Sequence, residues 1–181
     1  LYGAGVALRN GAYDRLDMLS RRASLPVISI GGIHCGGTGK TPMTRLVITE
    51  LTSRGYTVGL LSRGYGRLRR SPVIAPPGRN LSWKDIGDEP SLLSDTGVWL
   101  GIGPDRVRIS RELSSQIPHP AVFVLDDGFQ HRGLRRDCDI VCLSPTGIQD
   151  RLLPAGRLRE PASALVRAHA ICLIGVPGEE T

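Results

Sequence analysis

The chain is short of several features, and each shortage closes off a class of protein. Aromatic residues make up only 4% of its 181 positions. That is too little for the stacking platforms that hold single-stranded nucleic acid, so nucleic acid is not expected as a partner. No apolar run approaches the ~18 residues needed to cross a bilayer, and no charged start, apolar stretch and small-residue cleavage site together mark a secretory leader. The four cysteines, Cys35, Cys138, Cys142 and Cys172, form no Cys-x2-Cys pair and have no histidine at zinc spacing. They read as reduced thiols of a cytoplasmic protein rather than a metal or disulfide framework. Lysine is nearly missing too: of 23 basic residues, all but Lys40 and Lys84 are arginine. In such a chain a lysine at one particular spot is informative.

What is present describes a globular protein. The chain is 40% hydrophobic and 22% charged, and its length suits about one domain with one real core. Its net charge of +6 suggests a polyanionic partner: a nucleotide, a phospholipid or a membrane surface. Residues 3–19 read as an amphipathic helix, with Val6, Leu8, Tyr13, Leu16 and Leu19 interleaved with Arg9, Asp14 and Arg15. After Pro26 comes a short apolar strand at 27–30, then a glycine-rich loop from Gly31 to Gly39 and a helix over 41–54 that Gly55 can cap. Further strands are expected at 58–62, 98–102, 122–125, 140–143 and 170–174, with helices at 89–95 and 105–116. Strands apolar on both faces and alternating with helices predict an α/β fold, a doubly wound, mostly parallel sheet with helices on both faces. Ligands of such a sheet sit beyond the carboxyl ends of the strands.

The strongest local signal lies there. Gly36-Gly37-Thr38-Gly39-Lys40-Thr41 stands between an apolar strand and a helix. Glycines let backbone N–H groups turn toward phosphate oxygens, the helix start adds positive potential, the lysine reaches the terminal phosphates, and the threonine can ligate Mg²⁺. The strict pattern wants glycine six residues before the lysine, where this chain has His34. Such a loop needs an acidic residue ending a neighbouring strand, and the run at 122–125 ends in Asp126-Asp127, two carboxylates able to divide roles between metal and arginine. Asp88-Glu89-Pro90 is a third acidic site, read either as a helix start or as a general base or Mg²⁺ contact. Arginines at 63, 67, 69, 70, 132, 135, 136, 151, 157 and 159 supply phosphate-matching forks, Arg63 and Arg159 being the better placed. His131 stays a candidate because it follows the acidic pair so closely.

Taken in order, these segments resemble the tetraacyldisaccharide 4'-kinase family. The resemblance rests on the phosphate loop Gly36 to Pro42, Ser-Arg-Gly-Tyr-Gly at 62–66, Gly-Asp-Glu-Pro at 87–90 and Gly-Pro-Asp-Arg at 103–106. Asp-Asp-Gly-Phe-Gln-His at 126–131 and Leu-Leu-Pro-Ala-Gly then Leu-Arg-Glu-Pro within 152–161 complete it. Gly32, His34 and Cys35 depart from the family's usual residues at the mouth of the loop.

The resemblance implies a P-loop NTPase-like kinase that uses ATP and Mg²⁺ to phosphorylate the 4' hydroxyl of tetraacyldisaccharide 1-phosphate in lipid A biosynthesis. It also implies work at the cytoplasmic face of the inner membrane, on a phosphorylated glycolipid, with no obligate protein partner. It casts Asp88, Lys40 and Asp127 as catalytic and His34, Cys35, Gly36, Gly37, Thr38, Gly39, Lys40 and Thr41 as ATP-binding. Thr41, Asp126 and Glu89 stand around the metal, and Arg63, Arg106, Gln130, His131, Arg159 and Glu160 as substrate or phosphate contacts. Residues 1–22 look like the tail of a membrane-proximal helix and 23–176 like the P-loop lobe. The family's C-terminal lobe, whose histidine pairs with the aspartate at the position of Asp88, is expected to be absent. Another P-loop ATPase, or a nucleotide-binding fragment without transfer, is the alternative.

Overall fold

The computed structural model describes residues 2–144 and 147–175; the expected end of the lobe at 176 lies outside them. Seven strands form one sheet: β1 (Val27–Gly31), β2 (Thr57–Ser62), β3 (Val73–Ala75), β4 (Trp99–Ile102), β5 (Ala121–Asp126), β6 (Cys138–Leu143) and β7 (Ala170–Leu173). They lie in the order β3-β4-β2-β5-β1-β6-β7. Every pairing is parallel except that of β3 with β4. This is a P-loop NTPase-like α/β fold. The short strand β3 is an addition to the expected set: three residues after Pro72 carry too little pattern to announce a strand, and the edge of β4 supplies the pairing.

The helices are α1 (Tyr2–Arg15), α2 (Lys40–Ser53), α3 (Trp83–Ile86), α4 (Asp88–Ser91) and α5 (Arg106–Ser114). α2 covers one face of the sheet, packing Ile48 with Ile30, Val58, Leu60, Val122 and Val124. α5 covers the other, where Ile109 and Leu113 meet Val27, Leu61, Phe123 and Leu125. Alternate residues of one strand therefore feed opposite cores, as the period of two requires. The central strand β5 is buried at all six positions. β7 is not: as the edge strand it leaves Ile171 and Leu173 about half exposed.

Two expected helices are shorter than their patterns. The segment at 89–95 breaks into α4 and a 3-10 turn at Ser94–Thr96. The first helix ends at Arg15 and gives way to a 3-10 turn at Asp17–Leu19. α1 also buries only Val6 fully, while Leu8 is 79% exposed. Its apolar residues do not gather on one buried face. The helix is instead tied down by polar groups: Arg132 donates to the Asn10 carbonyl at 3.1 Å and to Asp14 at 2.6 Å. No helix among the described residues is long and apolar enough to cross a membrane.

Candidate active site

The carboxyl ends of β1, β5 and β2 open onto a cleft of about 1060 Å³. The loop after β1 forms its floor. Gly36 and Gly39 take φ angles of 105° and 70°, which an L side chain would strain, so the turn into α2 depends on glycine. No side chain caps the start of α2, leaving its first amide groups and the positive end of its dipole beside the loop. Lys40, the first residue of α2, reaches back toward the Gly36 carbonyl at 3.5 Å and lies 3.6 Å from Asp127.

Parallel register brings the acidic pair to the same place, because Ile30 of β1 sits opposite Asp126 of β5. The two carboxylates then diverge. Asp126 is 3% exposed and accepts a hydrogen bond from Ser62 Oγ at 3.3 Å. Burial, and then the charges of Glu89 and Asp127, push its pKa up to about 7. Asp127 has φ 48°, which swings its side chain into the fork of Arg159, with both Nη–Oδ distances at 2.7 Å. Burial would raise the Asp127 carboxyl, but Arg159 and Lys40 outweigh it and hold the pKa below the usual carboxylate value.

The remaining walls come from loops around these strand ends. Asp105 caps α5 by accepting from Arg108 N at 3.0 Å, and this start places Arg106 in the cleft. Arg106 is largely buried; burial first, and then Arg63, bring its pKa down to about 10. Burial and the neighbouring Arg106 and Arg136 push His131 down to about 4. Gln130 Nε2 donates to the Gly32 carbonyl at 2.9 Å. Segment 157–159 runs alongside the mouth of the phosphate loop, with Cys35 N bonded to the Arg157 carbonyl at 2.8 Å and Arg159 N to the Ile33 carbonyl at 2.6 Å.

Most residues singled out from the sequence meet here: Cys35, Gly36, Gly37, Thr38, Gly39, Lys40, Thr41, Arg63, Glu89, Arg106, Asp126, Asp127, Gln130, His131 and Arg159 all line the cleft. Three do not. His34 is buried in an isolated bridge with Leu158. Glu160 is wholly buried beneath the cleft's edge, bonded to Asn10, Gln130 and Arg167. Asp88 is exposed at the rim, its backbone N–H bonded to the Tyr65 carbonyl at 3.3 Å and its carboxylate against Gly66. The cleft also includes residues the sequence did not single out, among them Ser62, Tyr65 and Arg9. Ser62 and Tyr65 flank Arg63 inside a recognisable motif, a usable signal. Arg9 had none, because only the folding back of α1 brings it there.

Thr41, Glu89 and Asp126 fit a hard divalent cation. Asp126 is a buried carboxylate whose nearest charges include two more carboxylates, so a cation would relieve it. Among the described residues no three His, Cys, Asp or Glu side chains form a cage for a metal. Mg²⁺ typically takes one or two carboxylates, the number Asp126 and Glu89 offer, and fills its other positions with water and phosphate oxygens.

The LpxK family, Tetraacyldisaccharide-1-P 4'-kinase, matches residues 1–181. The Tetraacyldisaccharide 4'-kinase of Koribacter versatilis is 45% identical over 179 residues, spanning 94% of this chain and 55% of that protein. That of Porphyromonas gingivalis strain W83 is 40% identical over 185 residues, 99% of this chain and 51% of that protein. The crystal structure of an "apo" form of LpxK from Aquifex aeolicus in complex with ATP has a TM-score of 0.85 at 36% identity, covering 95% of this chain and 55% of that one. The chain spans about half the length of the curated relatives it matches. With its motifs gathered in one cleft and the match running along all of it, this chain belongs to the tetraacyldisaccharide-1-P 4'-kinase family.

Proposed function

We propose that this chain carries the nucleotide-binding lobe of an ATP-dependent kinase that phosphorylates the 4' hydroxyl of tetraacyldisaccharide 1-phosphate. The observation that carries the reading is the arrangement of Lys40, Asp127 and Arg159 beside a glycine loop, with buried Asp126 behind it. Two cations held by one carboxylate at the mouth of a phosphate loop are oriented before any phosphate arrives. Phosphoryl transfer asks mainly for such positioning and charge stabilisation. Family membership favours this reading over an unrelated P-loop ATPase.

In this reading the loop amides and Lys40 hold the β- and γ-phosphates of ATP. Arg63, Arg106 and Arg159 face the charge that spreads over the transferred group. Asp88 takes the proton of the 4' hydroxyl as its oxygen bonds to the γ-phosphorus, and the bond from that phosphorus to the β–γ bridging oxygen breaks to release ADP. The rim position of Asp88, next to Tyr65 and Glu89 of the cleft wall, suits an acceptor that enters from outside. Bound Mg²⁺, held by Thr41 with Asp126 or Glu89, supplies charge neutralisation for the phosphate oxygens. The acceptor is a phosphorylated glycolipid, so the protein works peripherally at the cytoplasmic face of the inner membrane.

The test is transfer of the γ-phosphoryl to tetraacyldisaccharide 1-phosphate in mixed micelles by the full-length protein, with ATP alone as control. Asp88→Ala is expected to lower transfer by about 10²–10⁴-fold, the usual worth of a general base, while ATP binding measured by calorimetry stays near wild type. Normal turnover by that variant would remove Asp88 from the mechanism. Hydrolysis without transfer by the wild type would overturn the kinase reading.

A further inference from the structure

Asn10 and Glu160 are 150 residues apart in sequence, yet Asn10 Nδ2 donates to Glu160 Oε2 at 2.6 Å. Glu160 is completely buried, so its charge is balanced by whatever donors surround it. Arg167 Nη2 donates to the same oxygen at 2.7 Å. Gln130 Nε2 donates to the other at 3.1 Å, and Arg9 lies 3.6 Å from it. The Gln130 amide also donates to the carbonyl of Gly32, just ahead of the phosphate loop. That carbonyl takes a second bond from Arg159 Nη2 at 3.3 Å, and Arg159 is the fork that clamps Asp127 beside Lys40. A further tie runs from the Tyr2 hydroxyl to the Arg159 carbonyl at 3.1 Å.

We propose that Asn10 is a positioning residue of the cleft: through Glu160 and Gln130, α1 sets the place of the Gly32 carbonyl and of Arg159 at the entrance to the phosphate loop. The proposal rests on the kinase reading above, and it makes α1 a working part of the phosphotransfer machinery as well as a peripheral helix. Docking alone does not require this contact. α1 has a separate attachment, in which Arg132 holds the Asn10 carbonyl and Asp14 and stacks 5.2 Å from the Tyr13 ring. A carboxamide aimed at a wholly buried carboxylate is costly to lose, because the carboxylate is left short of a donor inside the protein. Gln130 or Arg167 then shifts to compensate, and Gln130 cannot shift without releasing the Gly32 carbonyl.

The experiment compares Asn10→Leu, Asn10→Ser and Asn10→Gln with Asp14→Ala in the full-length protein. Three quantities are read: kcat and KM for transfer, ATP affinity by calorimetry without acceptor, and Tm. Asn10→Leu is expected to lower kcat about ten-fold or more, since misplacement by ~1 Å can cost up to 10²-fold, with the acceptor KM little changed and ATP affinity weakened several-fold. Asn10→Gln, which keeps the amide donor, is expected to recover most of both. Asp14→Ala is expected to lower Tm while leaving kcat in place. The proposal is overturned if Asn10→Leu keeps wild-type kcat and ATP affinity, or if Asp14→Ala loses as much kcat as Asn10→Leu, which would reduce Asn10 to a docking pin. Should Asn10→Leu not fold, Asn10→Ser is read against the same outcomes. If the wild type transfers nothing, the kinase reading falls, and the ATP affinities alone decide whether Asn10 acts on the phosphate loop.

Discussion

At the scale of single residues, the cleft is organised by uneven treatment of like groups. Asp126 and Asp127 are neighbours, but one is left among carboxylates and the other is given two cations. His131 shows the same principle for a base. Its Nε2 is buried without a partner among the described residues. Burial, with Arg106, Arg136 and Arg63 close by and only Asp105 opposing, holds its pKa near 4 against an ordinary 6.5. In the unfolded chain the ring takes up a proton as the pH falls through about 6.5, whereas in the folded protein it waits until about 4. Between those values the unfolded state binds more protons, so stability rises with pH, and the contribution is lost as pH drops across that window. We expect the slope of unfolding free energy between pH 6.5 and 4 to be shallower in His131→Gln, by a total on the order of 2 kcal/mol. Denaturant titrations at pH 7, 5.5 and 4 check this, and parallel curves for the two proteins would show that His131 does not titrate in that way.

At the scale of elements, the glycine that ends β1 and a glycine of the loop after it serve different ends. Gly31 closes β1, and a Cβ there would stand 2.5 Å from Phe129 Cβ and 2.7 Å from Phe129 N. Its smallness is a packing requirement, since the segment after Asp127 crosses directly over the strand end. Gly37 has open space around it and lines the cleft. Gly31→Ala is therefore expected to cost about 1–3 kcal/mol through overpacking and to lower Tm by several degrees. Gly37→Ala should leave Tm within a degree or two and show its effect in ATP affinity. Thermal unfolding and calorimetry on the pair separate the two roles, and equal Tm values would count against the packing account of Gly31.

At the scale of the whole molecule, charge and exposed apolar residues favour the same kind of surface. The chain carries a net charge of +6, nearly all its cations are arginine, and α1 with its following turn leaves Leu8 79% and Met18 75% exposed. Arginines attract an anionic leaflet within about a Debye length, roughly 8–10 Å at physiological salt. The apolar residues can then enter the interface. Co-sedimentation with vesicles containing anionic phospholipid is expected at low salt, with most of the protein released by 0.5 M NaCl, and little binding to zwitterionic vesicles. Equal binding to both, insensitive to salt, would show that charge does not drive vesicle binding, and no binding to either would rule out this surface as a lipid contact.

The sequence by itself determined whatever depends on neighbours a few residues away. Continuous apolar runs announced the parallel strands, and glycine spacing ahead of Lys40 announced the phosphate loop. An apolar run ending in two aspartates announced the acidic partner of that loop, because the end of a buried strand is where a carboxylate can emerge beside a ligand. Only the tertiary structure decided where side chains point and what returns from a distance. Residues 2–15 form a helix, but whether its apolar residues share a buried face depends on the body it meets, and polar ties hold most of this one. Arg9 enters the cleft, and Glu160 sits beneath it instead of facing substrate, through contacts spanning about 150 residues that no local pattern encodes. Asp88 stands at the rim because Gly87, at φ 94° and packed against the Tyr65 carbonyl, turns the chain there. Local order follows from short-range sterics and hydrophobic period; the division of work among arginines and carboxylates follows from which of them end up sharing the same few ångströms.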